Sequence, residues 1–171
     1  MSIFLKLRRL IMDLCALIIS ISAFILSVFQ FVRDSSRQKK ESTLIAYNEL
    51  QDDVFSDLTT YPYPMPKISH GSEDWKKFTT YLAKLERFSV GVNTGVYSLQ
   101  ILNCLGGAYF IREFEKLKPV IEEKRKKNTV PGGHYDEFEK TVNRLKEYRE
   151  AKSKIKRMFL KIKWMTNSFE K

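Results

Sequence analysis

Residues Leu10 to Val32 constrain this chain more than any other segment. They carry one charge, Asp13, and no charged side chain from Leu14 to Val32. As a helix rising about 1.5 Å per residue, the segment is roughly 35 Å long, enough to cross a bilayer core of about 30 Å. Basic residues bracket it: Lys6, Arg8 and Arg9 before, Arg33, Arg37, Lys39 and Lys40 after. Its apolar run exceeds the usual signal-peptide core of about 7–15 residues, and a cut after Ser20-Ile21-Ser22 would leave a second apolar run behind. The expectation is a single-pass membrane protein with a short basic tail over 1–9 and a transmembrane helix over 10–32.

One face of that helix differs from the rest. Asp13, Ala16, Ser20, Ala23, Ser27 and Gln30 recur at steps of three and four. This is a period of about 3.5, the spacing of a left-handed helix–helix seam. The surrounding surface is Leu17, Ile18, Ile21, Phe24, Ile25, Leu26, Val28 and Phe29. Lipid tails do not drive helices together, so association rests on small residues and polar contacts. The seam is read as the assembly face and as a candidate pore lining. The plainer reading is an idle anchor with Asp13 near the interface, paired with Arg9.

Net charge is +10, most of it beyond the apolar segment. That balance suits an anionic lipid surface or a nucleic acid, and serves solubility equally well. The heavier basic flank after the span gives a cytoplasmic C-terminal side. Cys104 is the only cysteine outside the apolar segment, so no disulfide framework is expected.

Helical periodicity dominates the remainder, and the expected class is all-α: one N-terminal transmembrane helix followed by a small helical bundle. Leu44, Tyr47, Leu50, Val54 and Leu58 form a stripe that carries the first helix over 33–60. Pro62, Pro64 and Pro66 stop it, giving a Pro-rich loop over 61–71. The bundle covers 72–165. Ser72 caps its first helix, whose buried stripe is Trp75, Phe78, Leu82, Leu85, Phe88 and Val92, ending near Asn93 and Gly95. Ser98 caps the next, with Leu102, Leu105, Tyr109, Leu117 and Ile121 inward and kinks at Gly106-Gly107 and Pro119. After a Pro131-Gly132-Gly133 loop, one last long helix turns Phe138, Val142, Leu145, Tyr148, Ile155, Phe159 and Ile162 inward.

No catalytic constellation emerges. His70 and His134 have no second His or Cys at ligand spacing, so no metal is expected. Leu105-Gly106-Gly107-Ala108 lacks the Lys-Ser/Thr of a phosphate loop, and no Ser or Cys sits in a nucleophile elbow. Glu86, Arg112 and Glu115 lie among apolar residues and could line a polar pocket or form salt bridges at the bundle rim. The chain is read as a non-enzyme without cofactors.

The C-terminal helix is strongly basic. Lys152, Lys154, Lys156, Arg157, Lys161 and Lys163 have no acid between them, and Met158, Phe159, Leu160, Ile162, Trp164 and Met165 are interleaved. Such a helix can lie on an anionic membrane, grip a phosphate backbone, or pack as a core helix with a solvated basic face.

A short basic N-terminus, one transmembrane helix and a small, basic, all-helical domain resemble the membrane-anchored accessory proteins of RNA-targeting type VI-B CRISPR systems. The resemblance implies a degenerate HEPN-like bundle, assembly into a ring-shaped pore in the bacterial inner membrane, and a role in antiviral defence beside a CRISPR effector or RNA. A HEPN ribonuclease needs Arg followed four to six residues later by His, and neither His70 nor His134 has one, so the resemblance implies no nuclease activity. The segments Glu86-Arg87-Phe88-Ser89-Val90-Gly91 and Tyr109-Phe110-Ile111-Arg112-Glu113-Phe114-Glu115-Lys116-Leu117-Lys118-Pro119 also resemble an uncharacterised bacterial family of anchored helical proteins. The alternative is a membrane-tethered nucleic-acid-binding module using the basic helix.

Overall fold

The computed structural model describes residues 2–63, 65, 68–127, 134–151 and 154–166, with the side chains of 2–11, 13, 127, 154, 161, 165 and 166 outside the description. All regular structure in these residues is helical: α1 (Ser2–Leu50), a π-helical turn (Gln51–Phe55), α2 (Ser56–Leu58), α3 (Glu73–Asn93), α4 (Leu99–Lys127), α5 (Asp136–Glu150) and α6 (Lys154–Thr166). The chain divides into two units, Met1–Gln38 and Lys39–Lys171. The expected loop at Pro131-Gly132-Gly133, with Pro64 and Pro66, lies outside the described residues.

Within the first unit the helix is unbroken, because no glycine or proline occurs before Pro62 to interrupt it. Its described large apolar side chains, from Met12 to Val32, are all exposed, between 47% at Val28 and 75% at Phe31. A helix apolar on every side is suited to lipid, and this one is long and apolar enough to cross a membrane.

In the second unit the first helix becomes amphipathic. Its buried stripe is Thr43, Tyr47, Leu50, Val54, Phe55 and Leu58, while Leu44, expected inside, is exposed. Thr43 starts the stripe for a polar reason. Its hydroxyl donates to the Lys39 carbonyl (2.6 Å) and accepts from the Ser98 amide (2.8 Å), docking the start of α4. The π-helical turn inserts an extra residue, so Val54 and Phe55 are both fully buried.

The α3 stripe is as expected: Trp75, Phe78, Leu82, Leu85, Phe88 and Val92 are all buried. The Ser72 hydroxyl accepts from the Trp75 amide (3.1 Å), and Glu73 and Asp74 complement the helix N-terminus. At the other end Gly95 takes φ +81° after Thr94, a left-handed stop that glycine adopts without a steric penalty.

In α4 the interruption falls at Gly106 alone, while Pro119 sits within the helix. The shifted phase buries Leu102, Phe110, Phe114, Leu117 and Ile121 and leaves Leu105 exposed at 38%. Phe110 is the centre of the aromatic core. It meets Phe138 edge-on at 5.1 Å, Phe88 at 5.9 Å and Phe55 edge-on at 6.2 Å, one ring from each neighbouring segment. Phe114 meets the same Phe138 ring at 5.1 Å.

The long last helix is instead two helices. Ala151 is extended, with ψ 97°, and separates α5 from α6. Phe138, Val142, Leu145 and Tyr148 of α5 are buried, but the break resets the helical phase. Ile155, Phe159 and Ile162 of α6 are exposed, and Trp164 and Leu160 turn inward in their place.

Gly106 is required by a close approach: a Cβ there would collide with the Tyr47 hydroxyl, whose ring is itself buried. Gly106→Ala is expected to destabilise the protein by about 1–3 kcal/mol, the usual cost of overpacking. Tyr47→Phe, which removes the colliding oxygen, should recover part of that loss. Chemical denaturation of the two single variants and the double variant measures the coupling, and strictly additive effects would contradict it.

Candidate functional site

The small-residue seam lies on the exposed helix of the first unit. Ala16, Ser20, Ala23, Ser27 and Gln30 are all exposed, and the side chain of Asp13 lies outside the described residues. The Ser20 hydroxyl donates to the Ala16 carbonyl (2.9 Å) and that of Ser27 to the Ala23 carbonyl (3.0 Å). Ser22, beside the seam, donates likewise to Ile18 (2.8 Å). Each hydroxyl therefore spends its one proton inside its own helix and presents lone pairs and a small surface outward. A straight helix drifts about 20° per heptad, so two helices in contact from Ala16 to Gln30 must supercoil left-handedly to keep the seam closed.

Of the six basic residues expected on one surface, Lys156, Arg157 and Lys163 have described side chains. Lys156 and Lys163 are exposed. Arg157 turns inward: its Nε donates to the Ala151 carbonyl (2.9 Å) and its guanidinium lies over the Tyr148 ring at 5.2 Å. It closes the end of α5 and is not part of an outward basic face. Lys152 and the side chains of Lys154 and Lys161 lie outside the described residues. What the pattern missed is apolar. Ile155, Met158, Phe159 and Ile162 are exposed at 65%, 54%, 63% and 45%. Their spacing of three, four and seven is a legible signal, but only once Trp164 is known to face the other way.

The polar residues weighed as a pocket do not converge. The Glu86 carboxylate accepts from the amides of Glu137 (3.1 Å) and Phe138 (2.8 Å). It caps α5 from a distant helix, because Tyr135 at the N-cap sits at φ +68° and contributes no side-chain bond. Beside it Asn93 donates to the Glu137 carbonyl (2.9 Å) and accepts from Arg144 (2.7 Å). Glu115 pairs with Lys146 at 2.6 Å. Arg112 stacks on the Tyr109 ring at 4.5 Å and reaches Glu113 at 3.2 Å. Lys116 is buried, donates to the Leu58 carbonyl and lies 3.7 Å from the buried Glu113 carboxylate.

Hollows lie among the described residues of the second unit. One of about 380 Å³ lies between α5 and α6, where Arg144 packs over Trp164 at 4.6 Å amid Glu139, Lys140, Glu147 and Lys163. Another, of about 540 Å³, is flanked by His70, whose ring lies 4.9 Å from Trp75. A smaller one, of about 240 Å³, lies beside Asp53, Lys84 and Arg87. Among the described residues no group of three or more His, Cys, Asp or Glu could hold a metal ion. Cys104 is a free, exposed thiol, as is Cys15 in the first unit.

The family described as "Domain of unknown function (DUF4760)" matches residues 17–145. No curated protein and no solved structure gives a significant match.

Burial raises the Glu86 pKa above the ordinary carboxylate value, opposed by the two amides and reinforced by Glu137 and Asp136. The folded protein then holds this proton longer than the unfolded chain. The contribution is fully present below the ordinary carboxylate pKa and is lost as pH rises through the raised value. Glu86→Gln removes the titration and leaves one α5 amide without an acceptor. It should destabilise at every pH, with the difference from wild type largest in acid and shrinking towards neutrality. Denaturation midpoints of both proteins across the acidic range test this, and a difference that grows with pH would contradict it.

Proposed function

We propose that this chain, which belongs to the DUF4760 family, is a non-enzymatic single-pass membrane protein that self-assembles through its membrane helix and opens or perturbs the bilayer. The observation that carries the reading is the helix from Leu14 to Val32, exposed on all sides and large and apolar except along one narrow small-residue seam. Lipid covers the apolar sides. Close approach of two backbones along Ala16, Ser20, Ala23 and Ser27 gives the packing that holds transmembrane helices together. In the bundle beyond Lys39 the buried Lys116 and Glu113 form an ion pair, and Lys116 also donates to the Leu58 carbonyl. Antiviral defence at a bacterial inner membrane, with the bundle on the cytoplasmic side and a CRISPR effector or RNA as partner, follows from the resemblance alone.

Bulk on the seam should separate the copies. Ser20→Leu with Ala23→Leu is expected to lower the oligomeric mass in detergent, while Leu17→Ala on the lipid side leaves it unchanged. Equal masses for both variants would remove the seam from the reading.

Opening of the bilayer has its own readout. Where the seam lines a wet lumen, Gln30 and the outward lone pairs of Ser20 and Ser27 meet water, and expression under the triggering condition depolarises the cell. Replacing Ser20, Ser27 and Gln30 by Val, Val and Leu should leave insertion intact and abolish the depolarisation by dewetting the lumen. Membrane-potential dyes compare parent and variant. An oligomer that never changes the potential would reduce the function to a tethered scaffold.

A further inference from the structure

The exposed apolar row of α6 is the feature that neither the bundle nor the seam uses. At about 100° per residue, Ile155, Met158, Phe159 and Ile162 fall within an arc of about 100°. Positions 156 and 163 lie about 100° to one side of its centre, and positions 154 and 161 about 100° to the other. All four are lysines. The opposite side of the helix, with Leu160, Trp164 and Arg157, turns into the bundle. An outward apolar row bordered by lysines on both flanks is the pattern of a helix lying in a membrane interface. The apolar row enters the acyl boundary and the lysine stems extend along it, their ammonium groups at the phosphates.

We infer that α6 is a second, peripheral membrane contact that lies in the headgroup region of an anionic bilayer. The flanking charge identifies the occupant. From Lys152 to Lys163 there is no acid, so a second copy of α6 laid against this face would oppose lysine to lysine. A nucleic-acid backbone would meet the lysines and leave Ile155, Phe159 and Ile162 in water. A bilayer rich in anionic lipid covers the row and sets phosphates along both flanks together. The inference rests on the membrane anchoring proposed above and not on assembly. The anchor tethers the chain to a bilayer, so an interfacial contact would form at high effective concentration.

The test uses the full chain with Cys15→Ser and Cys104→Ser, carrying an environment-sensitive fluorophore at Phe159→Cys or, as a control, at the exposed Lys118→Cys. Each protein is reconstituted into vesicles of phosphatidylcholine alone or with phosphatidylglycerol, both containing a spin-labelled lipid quencher. Alkaline extraction reports the anchor independently of the label. Quenching at position 159 should be at least about threefold stronger with phosphatidylglycerol. It should fall when salt reaches about 1 M, where the screening length is about 3 Å. It should also fall when Lys154, Lys156, Lys161 and Lys163 are changed together to Gln with helicity retained. The control label should stay unquenched throughout. A label at 159 that remains in water in anionic vesicles of extraction-resistant protein overturns the inference. So does shielding without lipid quenching. Disulfide cross-linking of the unlabelled Phe159→Cys variant between two copies would then mark a self-interface, and shielding brought on only by added single-stranded RNA would mark a nucleic-acid site.

Discussion

The bundle depends on how the end of its first helix is closed inside the protein. The Phe55 and Leu58 carbonyls lie where the π-helical turn and α2 give way to the proline-rich segment. Each already accepts one backbone bond, Phe55 from the Thr59 amide (3.1 Å) and Leu58 from the Tyr61 amide (3.3 Å). Two side chains of α4 fill their remaining lone pairs and tie α4 to this end: the Tyr109 hydroxyl donates to Phe55 (3.2 Å) and the Lys116 ammonium to Leu58. A buried ammonium in turn needs a countercharge, and Glu113, one helical turn earlier, supplies it. These bonds fix the register of α4 against the first helix. That register brings Phe110 among Phe55, Phe88 and Phe138, and a slide of α4 by one turn would empty the aromatic centre and strand the charge.

How much of this was legible depends on whether a helix keeps its phase. The α3 stripe could be read residue by residue because nothing interrupts 21 residues of regular helix. In α4 the interruption at Gly106 was visible in the sequence, but the sequence pattern placed Leu105 inside where the structure buries Phe110. In the last segment no glycine or proline announces the extended Ala151, so Ile155, Phe159 and Ile162 were assigned to the wrong side. Long-range polar roles were invisible for a different reason. Glu86 and the amides it caps are about fifty positions apart, and no local pattern connects them. Arg157 was counted by charge, whereas the geometry uses its planar group as a cap and a stacking partner.

The long apolar helix was the most legible part, because crossing a bilayer demands length and apolarity and little else, and both can be read from the sequence. The seam on it was equally plain as spacing, although spacing alone does not distinguish a packing face from a wet one. The bundle carries the opposite lesson. Of the residues weighed as a polar pocket, Glu86 caps α5, Glu115 pairs with Lys146 and Arg112 stacks on Tyr109, while the row left exposed on α6 is apolar. That row lies beyond the matched region of DUF4760, which stops at residue 145.

The serines of the membrane helix have a consequence for the order of events in biogenesis. Each hydroxyl of Ser20, Ser22 and Ser27 already donates to a carbonyl four residues back, so a lone copy leaves none of these protons unsatisfied in hydrocarbon. Under the proposed self-assembly, insertion would then not depend on finding a neighbour, and joining through the seam would be a separate step governed by surface density and hence by expression level.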